Sequence, residues 1–264
     1  MRTLGRVKIA RFDHQGQLGY GILDEETNEL VKLYGDPLYV GFETTEERIS
    51  VDEVQILAPF IPRSKVIAFG RNYAAHAAEH GTTVPEDPMM FLKPNTSVIG
   101  PDAPIILPPQ SEQVEHEVEL AVVIGHIARN VPAEDASKVI FGYTVSNDVT
   151  ARDLQRSDGQ WSRAKGFDSF CPTGPFIETD FDPSEGAVLC RVNGELRQEG
   201  DLNLMERGVG ELIEYASSVF TLLPGDILLT GTPAGVGPLN HGDVVECEIE
   251  GLGVLRNPVI GSKK

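Results

Sequence analysis

The sequence predicts an α+β fold that is rich in β-strand. Short apolar runs with the length and β-branched content of strands recur through the 264-residue chain. Turn signals separate them, the strongest being Asn193-Gly194, a two-residue hairpin sequence that needs positive φ. Helical spacing is rare by comparison. We therefore expect many short strands decorated by few helices, without internal repeats or low-complexity tracts.

Residues 1–60 are predicted to form a small N-terminal β module. Apolar residues alternate at 7–11 and again at 18–22, which is typical of half-buried strands. Turns or bulges are expected at Gly16, Gly19 and Gly21. Pro59 and Pro62 bracket a predicted linker, so residues 61–264 are expected to form the main domain.

The main domain is predicted to contain further short strands and two helices. The first helix spans 73–79, with Asn72 as its cap and His80-Gly81 at its end. The second is amphipathic and buries Val209, Leu212, Ile213 and Ala216. The predicted strands are 66–70, 91–92, 98–99, 120–124, 139–145, 226–230 and 244–249.

The charge of the chain excludes some classes of partner. The 22 basic and 40 acidic residues give a net charge of −18, which argues against nucleic acid and anionic membranes. An anionic substrate would need local positive charge or a metal. Three separated cysteines, no apolar run of signal-peptide length at residues 1–7 and no run of 18 apolar residues lead us to expect a cytoplasmic protein.

An acidic segment, 115–119, leads directly into the apolar strand 120–124. Side chains of a strand alternate between its faces, so Glu117 and Glu119 share one face, together with Glu115 if the strand extends that far. Two carboxylates about 5 Å apart repel by roughly 3 kcal/mol at an effective dielectric near 20. Such a cluster must hold protons or bind a cation, and oxygen ligands favour Mg²⁺ or Mn²⁺. The alternative is an exposed strand end with solvated glutamates.

Two further segments carry candidate chemistry. His76 and Glu79 share a face of the first helix, so Glu79 can orient His76 as a base; the alternative is a solvated surface contact. The segment Thr230-Gly231-Thr232-Pro233 can offer a hydroxyl and backbone amides to a carboxylate, or it is only a turn that ends a strand. It lacks the Gly-Lys-Ser/Thr ending of a phosphate-binding loop.

Several motifs in one order resemble the fumarylacetoacetate hydrolase family, from about residue 64 to the C-terminus. They are Phe69-Gly70-Arg71-Asn72-Tyr73, His116-Glu117-Val118-Glu119, Asn147-Asp148-Val149-Thr150-Ala151-Arg152-Asp153, Asn193-Gly194-Glu195-Leu196-Arg197-Gln198 and Thr230-Gly231-Thr232-Pro233-Ala234-Gly235-Val236-Gly237. The resemblance implies a mixed β-roll catalytic domain, a homodimer and a divalent metal, Mg²⁺ or Mn²⁺.

The resemblance also implies site residues. The metal ligands are Glu117, Glu119 and Asp148, and the catalytic dyad is His76 and Glu79 on a lid segment. The resemblance implies that Arg152, Gln155 and Lys165 surround the substrate and that Lys165 is also catalytic. Arg71 and Thr232 are further candidates for substrate binding. The alternative for Arg152 and Lys165 is a surface ion pair with Asp153 or Asp158. Glu206-Arg207 departs from the apolar character that is usual in related sequences.

The expected function is metal-dependent cleavage of the C3–C4 bond of small 2-oxo acids through a metal-stabilised enolate. This includes oxaloacetate decarboxylation and acylpyruvate hydrolysis, for which a water activated by His76 and Glu79 attacks C4. One alternative is isomerisation or tautomerisation of 2-hydroxyhepta-2,4-diene-1,7-dioate-type substrates in aromatic catabolism. An alternative of another class is a non-catalytic, metal-stabilised binding protein, which would not need His76, Glu79 and Lys165.

Overall fold

The computed structural model describes residues 6–261 as a β-rich fold with few helices, as predicted. The first five residues of the predicted N-terminal module lie outside this range. The helices are α1 Pro37–Val40, α2 Ala74–Glu79, α3 Arg152–Asp158, α4 Ser162–Lys165 and α5 Val209–Val219, with 3-10 turns at Val51–Glu53, Asn95–Ser97, Ala133–Lys138 and Leu202–Leu204.

The strands follow one another closely along the chain. The first ten are β1 Lys8–His14, β2 Gln17–Asp24, β3 Glu29–Leu33, β4 Thr44–Ser50, β5 Gln55–Leu57, β6 Val66–Gly70, β7 Met89–Lys93, β8 Val98–Ile99, β9 Ile105–Leu107 and β10 Val114–His116. The second ten are β11 Val118–Ile124, β12 Ile140–Asn147, β13 Thr150–Ala151, β14 Cys171–Glu178, β15 Ala187–Val192, β16 Glu195–Asp201, β17 Ile227–Leu229, β18 Gly237–Pro238, β19 Val244–Ile249 and β20 Gly253–Gly261.

Three sheets organise these strands. The largest has twelve strands in the order β4-β3-β2-β1-β14-β12-β11-β17-β6-β7, with β5 paired to β1 and β8 to β14. Five strands form a second sheet, β16-β15-β19-β20-β9, and β13-β10-β18 form a third. Most pairs are antiparallel, but β6 with β17, β8 with β14 and β9 with β20 are parallel, so the fold is mixed.

The strand β11 runs through the centre of the large sheet and is buried throughout. Leu120 and Val122 face the largest apolar cluster, which also holds α5, whereas Ala121 and Val123 face a second cluster with β6 and β17. The predicted burial of this strand on both faces is therefore confirmed. Its acidic N-terminal end lies inside the protein: β12 pairs with Val118 and Glu119, and the side chains of Glu117 and Glu119 are buried.

Several local predictions are confirmed and others are wrong. The hairpin at Asn193-Gly194 has positive φ at both residues, 54° and 80°, and α5 buries its four predicted apolar residues. Asn72 does not cap α2: the cap position is Tyr73, without a side-chain hydrogen bond. The pairing of β1 with β2 is continuous, so Gly19 and Gly21 are strand residues, and a Cβ on Gly19 would lie 2.8 Å from the Phe12 ring.

The N-terminal segment joins the main sheet directly. Lys8 and Ile9 in β1 pair with Glu178 and Ile177 in β14, and Ile9 belongs to the apolar cluster that contains β6 and β17. A boundary near residue 60 remains a prediction. Within residues 6–261, no helix has the length and apolar composition needed to cross a membrane.

Candidate active site

Three buried carboxylates meet where the central strands end. Glu117 separates β10 from β11, Glu119 is the second residue of β11, and Asp148 directly follows β12. The backbone N–H of Asp148 donates to the carbonyl of Glu117 at 2.8 Å, which fixes the two strand ends together. One carboxylate oxygen from each of the three residues lies within 4.8 Å of the others, and all three side chains are buried.

Buried cations surround two of these carboxylates. Lys165 Nζ lies 2.6 Å from both Glu117 and Asp148, and Lys93 Nζ lies 2.5 Å from Asp148. Arg152 bridges Glu115, at 2.7 Å, and Glu117, at 2.5 Å. Glu115 therefore belongs to an arginine pair rather than to the carboxylate trio. Arg152 and Lys165 pair with these buried glutamates and Asp148 instead of forming a surface ion pair with Asp153 or Asp158.

These cations reduce the repulsion that the sequence predicts for the cluster. Four carboxylates, Glu115, Glu117, Glu119 and Asp148, face three side-chain cations, Lys93, Arg152 and Lys165. With all four carboxylates ionised, the group therefore carries one net negative charge. The repulsion is smaller than in a trio of carboxylates without cations. Although burial opposes ionisation of Glu117, Lys165 and Arg152 hold its pKa below the usual range.

Glu119 is the carboxylate of this group that pairs with none of the three cations, and it favours its protonated form. Burial, and then the carboxylates of Asp148 and Glu117, raise its pKa well above the usual range. Its hydrogen-bond partner is the backbone N–H of Gly231 at 2.7 Å, and within residues 6–261 no side-chain cation pairs with it. A hard dication fits this donor set, because three converging oxygens are its preferred ligands and the surplus charge is negative. The residues that would hold it are Glu117, Glu119 and Asp148.

The predicted dyad forms on α2. His76 Nδ1 lies 3.4 Å from Glu79 Oε2, a long contact, and His76 is buried. Both oxygens of Glu79 also accept from the backbone N–H of Gly235 at 3.2 Å, so the loop after β17 orients the dyad. Burial lowers the pKa of His76 against the opposing effect of Glu117, which favours the neutral imidazole.

A cavity of about 300 Å³ opens between α2, α3 and Glu117, whereas Glu119 and Asp148 of the carboxylate trio do not line it. Six residues proposed from the sequence line it: Arg71, His76, Glu117, Arg152, Gln155 and Lys165. Sequence reasoning missed five others: Gly70, His80, Thr82, Arg156 and Trp161. His80 is exposed, as its place at the helix end predicts, and it also lies on the wall, with its ring 4.8 Å from that of His76.

Trp161 forms a side wall that no sequence motif indicated. Its ring lies against Gly70, where a Cβ would come within 2.6 Å of it, and packs edge-on to Phe91 with the ring centres 5.3 Å apart. Lys165 Nζ lies 5.9 Å from the centre of the same ring. Gly70 is therefore a glycine because the tryptophan occupies the side-chain position.

Thr232 differs from its sequence interpretation, and Lys93 is a site residue that the sequence analysis did not identify. Thr232 does not line this cavity; its hydroxyl accepts from Gln198 Nε2 at 2.8 Å, so its contact with substrate stays a prediction. Gly231 offers its amide to Glu119 rather than to a free carboxylate. Lys93 was missed, although a lone lysine that ends the apolar run 89–92 is a signal for a buried acidic partner.

Known proteins resemble the chain over most of its length. The family profile described as "Fumarylacetoacetate (FAA) hydrolase C-terminal" matches residues 65–260, and "Rv2993c-like, N-terminal" matches residues 7–59. The mitochondrial oxaloacetate tautomerase Fahd2a of Rattus norvegicus is 46% identical over 219 residues, covering 79% of this chain and 70% of the relative.

Two solved structures share the fold. The 5-carboxymethyl-2-hydroxymuconate delta-isomerase of Mycobacterium smegmatis aligns with a TM-score of 0.90 and 46% identity, covering 97% of this chain and all (100%) of the other. The fumarylpyruvate hydrolase of Pseudomonas aeruginosa, solved in complex with Mn²⁺ and pyruvate, gives 0.73 and 35%, with 79% and 92% covered.

Proposed function

This chain belongs to the fumarylacetoacetate hydrolase family, and on that premise we propose that it is a Mg²⁺- or Mn²⁺-dependent enzyme that moves a proton at C3 of small 2-oxo acids. The reaction supported best is keto–enol tautomerisation of 2-oxo dicarboxylates such as oxaloacetate. The relatives named as a tautomerase and an isomerase are each 46% identical to this chain, more than the 35% of the hydrolase.

The observation that carries this proposal is the neutral, oriented base in the cavity wall. Because Glu79 is an acceptor, it holds the proton of His76 on Nδ1 and leaves Nε2 free to take a proton. A low pKa keeps the imidazole in this form at neutral pH. In the keto-to-enol direction His76 would remove a proton from C3, and the C2 oxygen of the resulting enolate would take a proton from water. In the reverse direction the enol would lose its O–H proton to water and His76 would return a proton to C3, so no other group has to leave.

The cations of the site complete the chemistry. When bound at Glu117, Glu119 and Asp148, a hard dication would supply Lewis acidity toward the C2 oxygen, where negative charge develops. Lys165 and Arg152 hold Glu117 ionised and keep its carboxylate in place. Gln155 accepts from Arg152 Nη1 at 2.7 Å, which orients the guanidinium at the cavity wall.

Cleavage of the C3–C4 bond is the second candidate function. It is the function that the sequence analysis expects, with tautomerisation as its alternative. The observation that favours it is the relative named as a fumarylpyruvate hydrolase. Bond cleavage also develops negative charge on the C2 oxygen. Carbon dioxide would leave from oxaloacetate, whereas water activated by His76 and Glu79 would attack C4 of an acylpyruvate. Both reactions can occur in one site because they share the stabilised charge.

One experiment separates these candidates. Purified protein is mixed with oxaloacetate and Mg²⁺, and the ultraviolet absorbance of the enol and the formation of pyruvate are followed in parallel, with and without EDTA. We expect metal-dependent loss of the enol, abolished by His76→Asn and unaffected by His14→Asn, a histidine outside the site. Pyruvate formed at the same rate would instead support decarboxylation. No metal-dependent turnover of oxaloacetate, acylpyruvates or diene dioates would favour the non-catalytic binding protein.

A further inference from the structure

Two arginines on the cavity wall have no acidic partner. Arg71 and Arg156 both line the cavity, and within residues 6–261 neither forms an ion pair with a carboxylate. Arg156 Nη2 donates to the neutral amide oxygen of Gln113 at 2.7 Å, which positions the side chain without compensating its charge.

This arrangement is unusual for a chain with 40 acidic and 22 basic residues. Most other arginines of the described region pair with carboxylates, as do Arg6, Arg48, Arg63, Arg152, Arg163, Arg191, Arg197 and Arg256. An uncompensated guanidinium at a cavity is therefore selective for an anion that comes from outside the chain. Arginine binds a carboxylate through parallel hydrogen bonds, so this anion is expected to be planar.

One of the two arginines lies a helical turn from a residue that contacts the carboxylate trio. Arg152 and Arg156 share one face of α3, so Arg156 lies one turn, about 6 Å, beyond the residue that contacts Glu117. Arg71 follows β6 and has a positive φ of 59°. This conformation is unfavourable for a residue other than glycine and lowers the stability of the fold. Arg71 thereby adds a cation to the cavity that Arg156 of α3 also lines.

We propose that Arg71 and Arg156 bind the distal carboxylate of a dianionic 2-oxo acid whose other end lies at Glu117, Glu119 and Asp148. This inference rests on the proposed function and names its substrate class: 2-oxo dicarboxylates are selected over 2-oxo acids with an uncharged distal end. Arg156 is the specificity residue, and Arg71 supplies a second positive charge to the same cavity.

Binding is measured directly through Trp161, the only tryptophan of the chain, which lies on the same wall. Its fluorescence is titrated in Mg²⁺ with 2-oxoglutarate and with 2-oxopentanoate, which have equal chain length and differ only in a terminal carboxylate or methyl group. We expect 2-oxoglutarate to bind about tenfold more tightly, as for a charge-assisted hydrogen bond near the surface.

Variants then locate this preference. Arg156→Gln should reduce the preference for 2-oxoglutarate over 2-oxopentanoate to about twofold or less. The affinity for 2-oxopentanoate should stay unchanged, because only the distal contact is lost. Arg71→Asn, which keeps a residue that tolerates positive φ, should reduce the preference in the same direction. Arg163→Gln is the control: Arg163 lies nearby in α4 but pairs with Asp158 at 2.6 Å, so the preference should persist.

The outcomes separate this inference from the function on which it rests. Equal affinity of the wild type for both ligands, or equal loss of preference in Arg163→Gln and Arg156→Gln, would overturn the distal subsite while leaving 2-oxo acid binding intact. Failure of both ligands to bind in the presence of Mg²⁺ would overturn the proposed function and this inference together.

Discussion

Among the residues of the site, Glu119 is the carboxylate whose charge the protein leaves uncompensated. Lys165 and Arg152 pair with Glu117, and Lys93 and Lys165 pair with Asp148, whereas Glu119 receives only a backbone N–H from Gly231. A protein without a cation at this position would need to hold Glu119 protonated, consistent with its raised pKa. The residue is therefore the most sensitive reporter of a metal.

His76 sets the expected pH dependence of catalysis. In the proposed mechanism the neutral imidazole is the base, so activity is expected to fall as the pH drops through its pKa, which burial lowers below its ordinary value of 6.5. We predict that kcat/KM for oxaloacetate stays constant to below pH 6.5 before it falls. Steady-state kinetics across the acidic range, at saturating Mg²⁺, measure this fall in kcat/KM, which is the acidic limb of the pH profile. An acidic limb centred clearly above 6.5 would contradict the assignment of His76 as a buried base.

At this scale the sequence predicts residues that act through local spacing and misses those that act across the fold. Glu117 with Glu119, and His76 with Glu79, are visible because period two and helical spacing place them together. Lys93 and Trp161 are not visible in the same way. Lys93 meets Asp148 across 55 residues, and Trp161 matters because its ring lies against Gly70, so both depend on how distant elements pack.

Among the secondary-structure elements, the loop that follows β17 connects the two halves of the site. Its Gly231 N–H donates to Glu119, and its Gly235 N–H donates to Glu79 on α2. The same loop is held from behind by Gln198, which donates to Thr232 Oγ1 and to the carbonyl of Pro233. The carboxylate trio and the dyad therefore share one backbone support.

Replacement of Gly231 tests this support. Gly231 has a φ of +97°, and a Cβ there would lie 2.8 Å from Asn72 Cβ. We predict that Gly231→Ala lowers the free energy of unfolding by about 3 kcal/mol, through backbone strain and a steric clash, and also weakens Mn²⁺ binding. Denaturant unfolding and Mn²⁺ titration measure the two effects.

Gly242→Ala is the matched control for this prediction. Gly242 has a similar φ of +94°, a Cβ added there would have no neighbour within 4 Å, and the residue lies outside the site. We expect a loss of only about 1 kcal/mol and unchanged Mn²⁺ affinity. Equal effects of the two substitutions on stability and on Mn²⁺ binding would show that the loop does not support Glu119.

Glu206-Arg207, the segment that departs from the family pattern, contacts the part of the chain that follows α2 through Arg207. Arg207 Nη2 donates to the carbonyls of Pro85 and Glu86 at 2.7 and 2.5 Å, and its backbone N–H donates to Asn72 Oδ1. We predict that Arg207→Gln increases amide hydrogen exchange in residues 82–88 and raises KM, because that segment leads from the dyad helix.

A second arginine serves as the control for Arg207. Arg129 also donates to two backbone carbonyls, those of Ser217 and Ser218, but on another surface. Arg129→Gln should leave exchange in 82–88 and KM unchanged. If Arg207→Gln leaves exchange in 82–88 at the wild-type rate, Arg207 does not restrain this segment.

For the whole molecule, the net charge of −18 contrasts with the positive lining of the cavity. The general field repels anions, while Arg71 and Arg156, which pair with no carboxylate of residues 6–261, would attract them locally. A dication at the trio would convert the single negative charge of that group into a positive one. The molecule therefore concentrates its affinity for anions at one place on an otherwise repulsive surface.

A homodimer remains a proposal at this scale, derived from the family. Several large apolar side chains, among them Ile127 at 71% exposure and Tyr34 at 69%, are available for contacts between subunits. We predict a mass in solution of twice the 28.7 kDa of one chain. Size-exclusion chromatography with light scattering gives this mass, and a value of one chain at micromolar concentration would contradict the proposal.

The sequence predicts the strands of this fold better than it predicts their arrangement. Periodicity places β6, β11 and β19 because burial of a strand depends on local composition. The pairing of β1 with β14, across more than 160 residues, has no local signal, because it is decided by which sheet edges remain uncovered. For this reason the sequence does not predict that β1 joins the main sheet, while the boundary near residue 60 stays a prediction.

The measurement that tests the central claim most directly is a Mn²⁺ titration of Glu119→Gln, followed by calorimetry alongside thermal unfolding in EDTA. Since Glu119 favours its neutral form without metal, we expect the variant to match the wild type in metal-free stability. We expect its Mn²⁺ affinity to fall by more than the roughly 100-fold that loss of an outer hydrogen-bond partner can cost. Glu178→Gln, which removes a buried glutamate outside the site, should keep the wild-type affinity. Equal Mn²⁺ affinity of Glu119→Gln and the wild type would contradict a metal held by Glu117, Glu119 and Asp148.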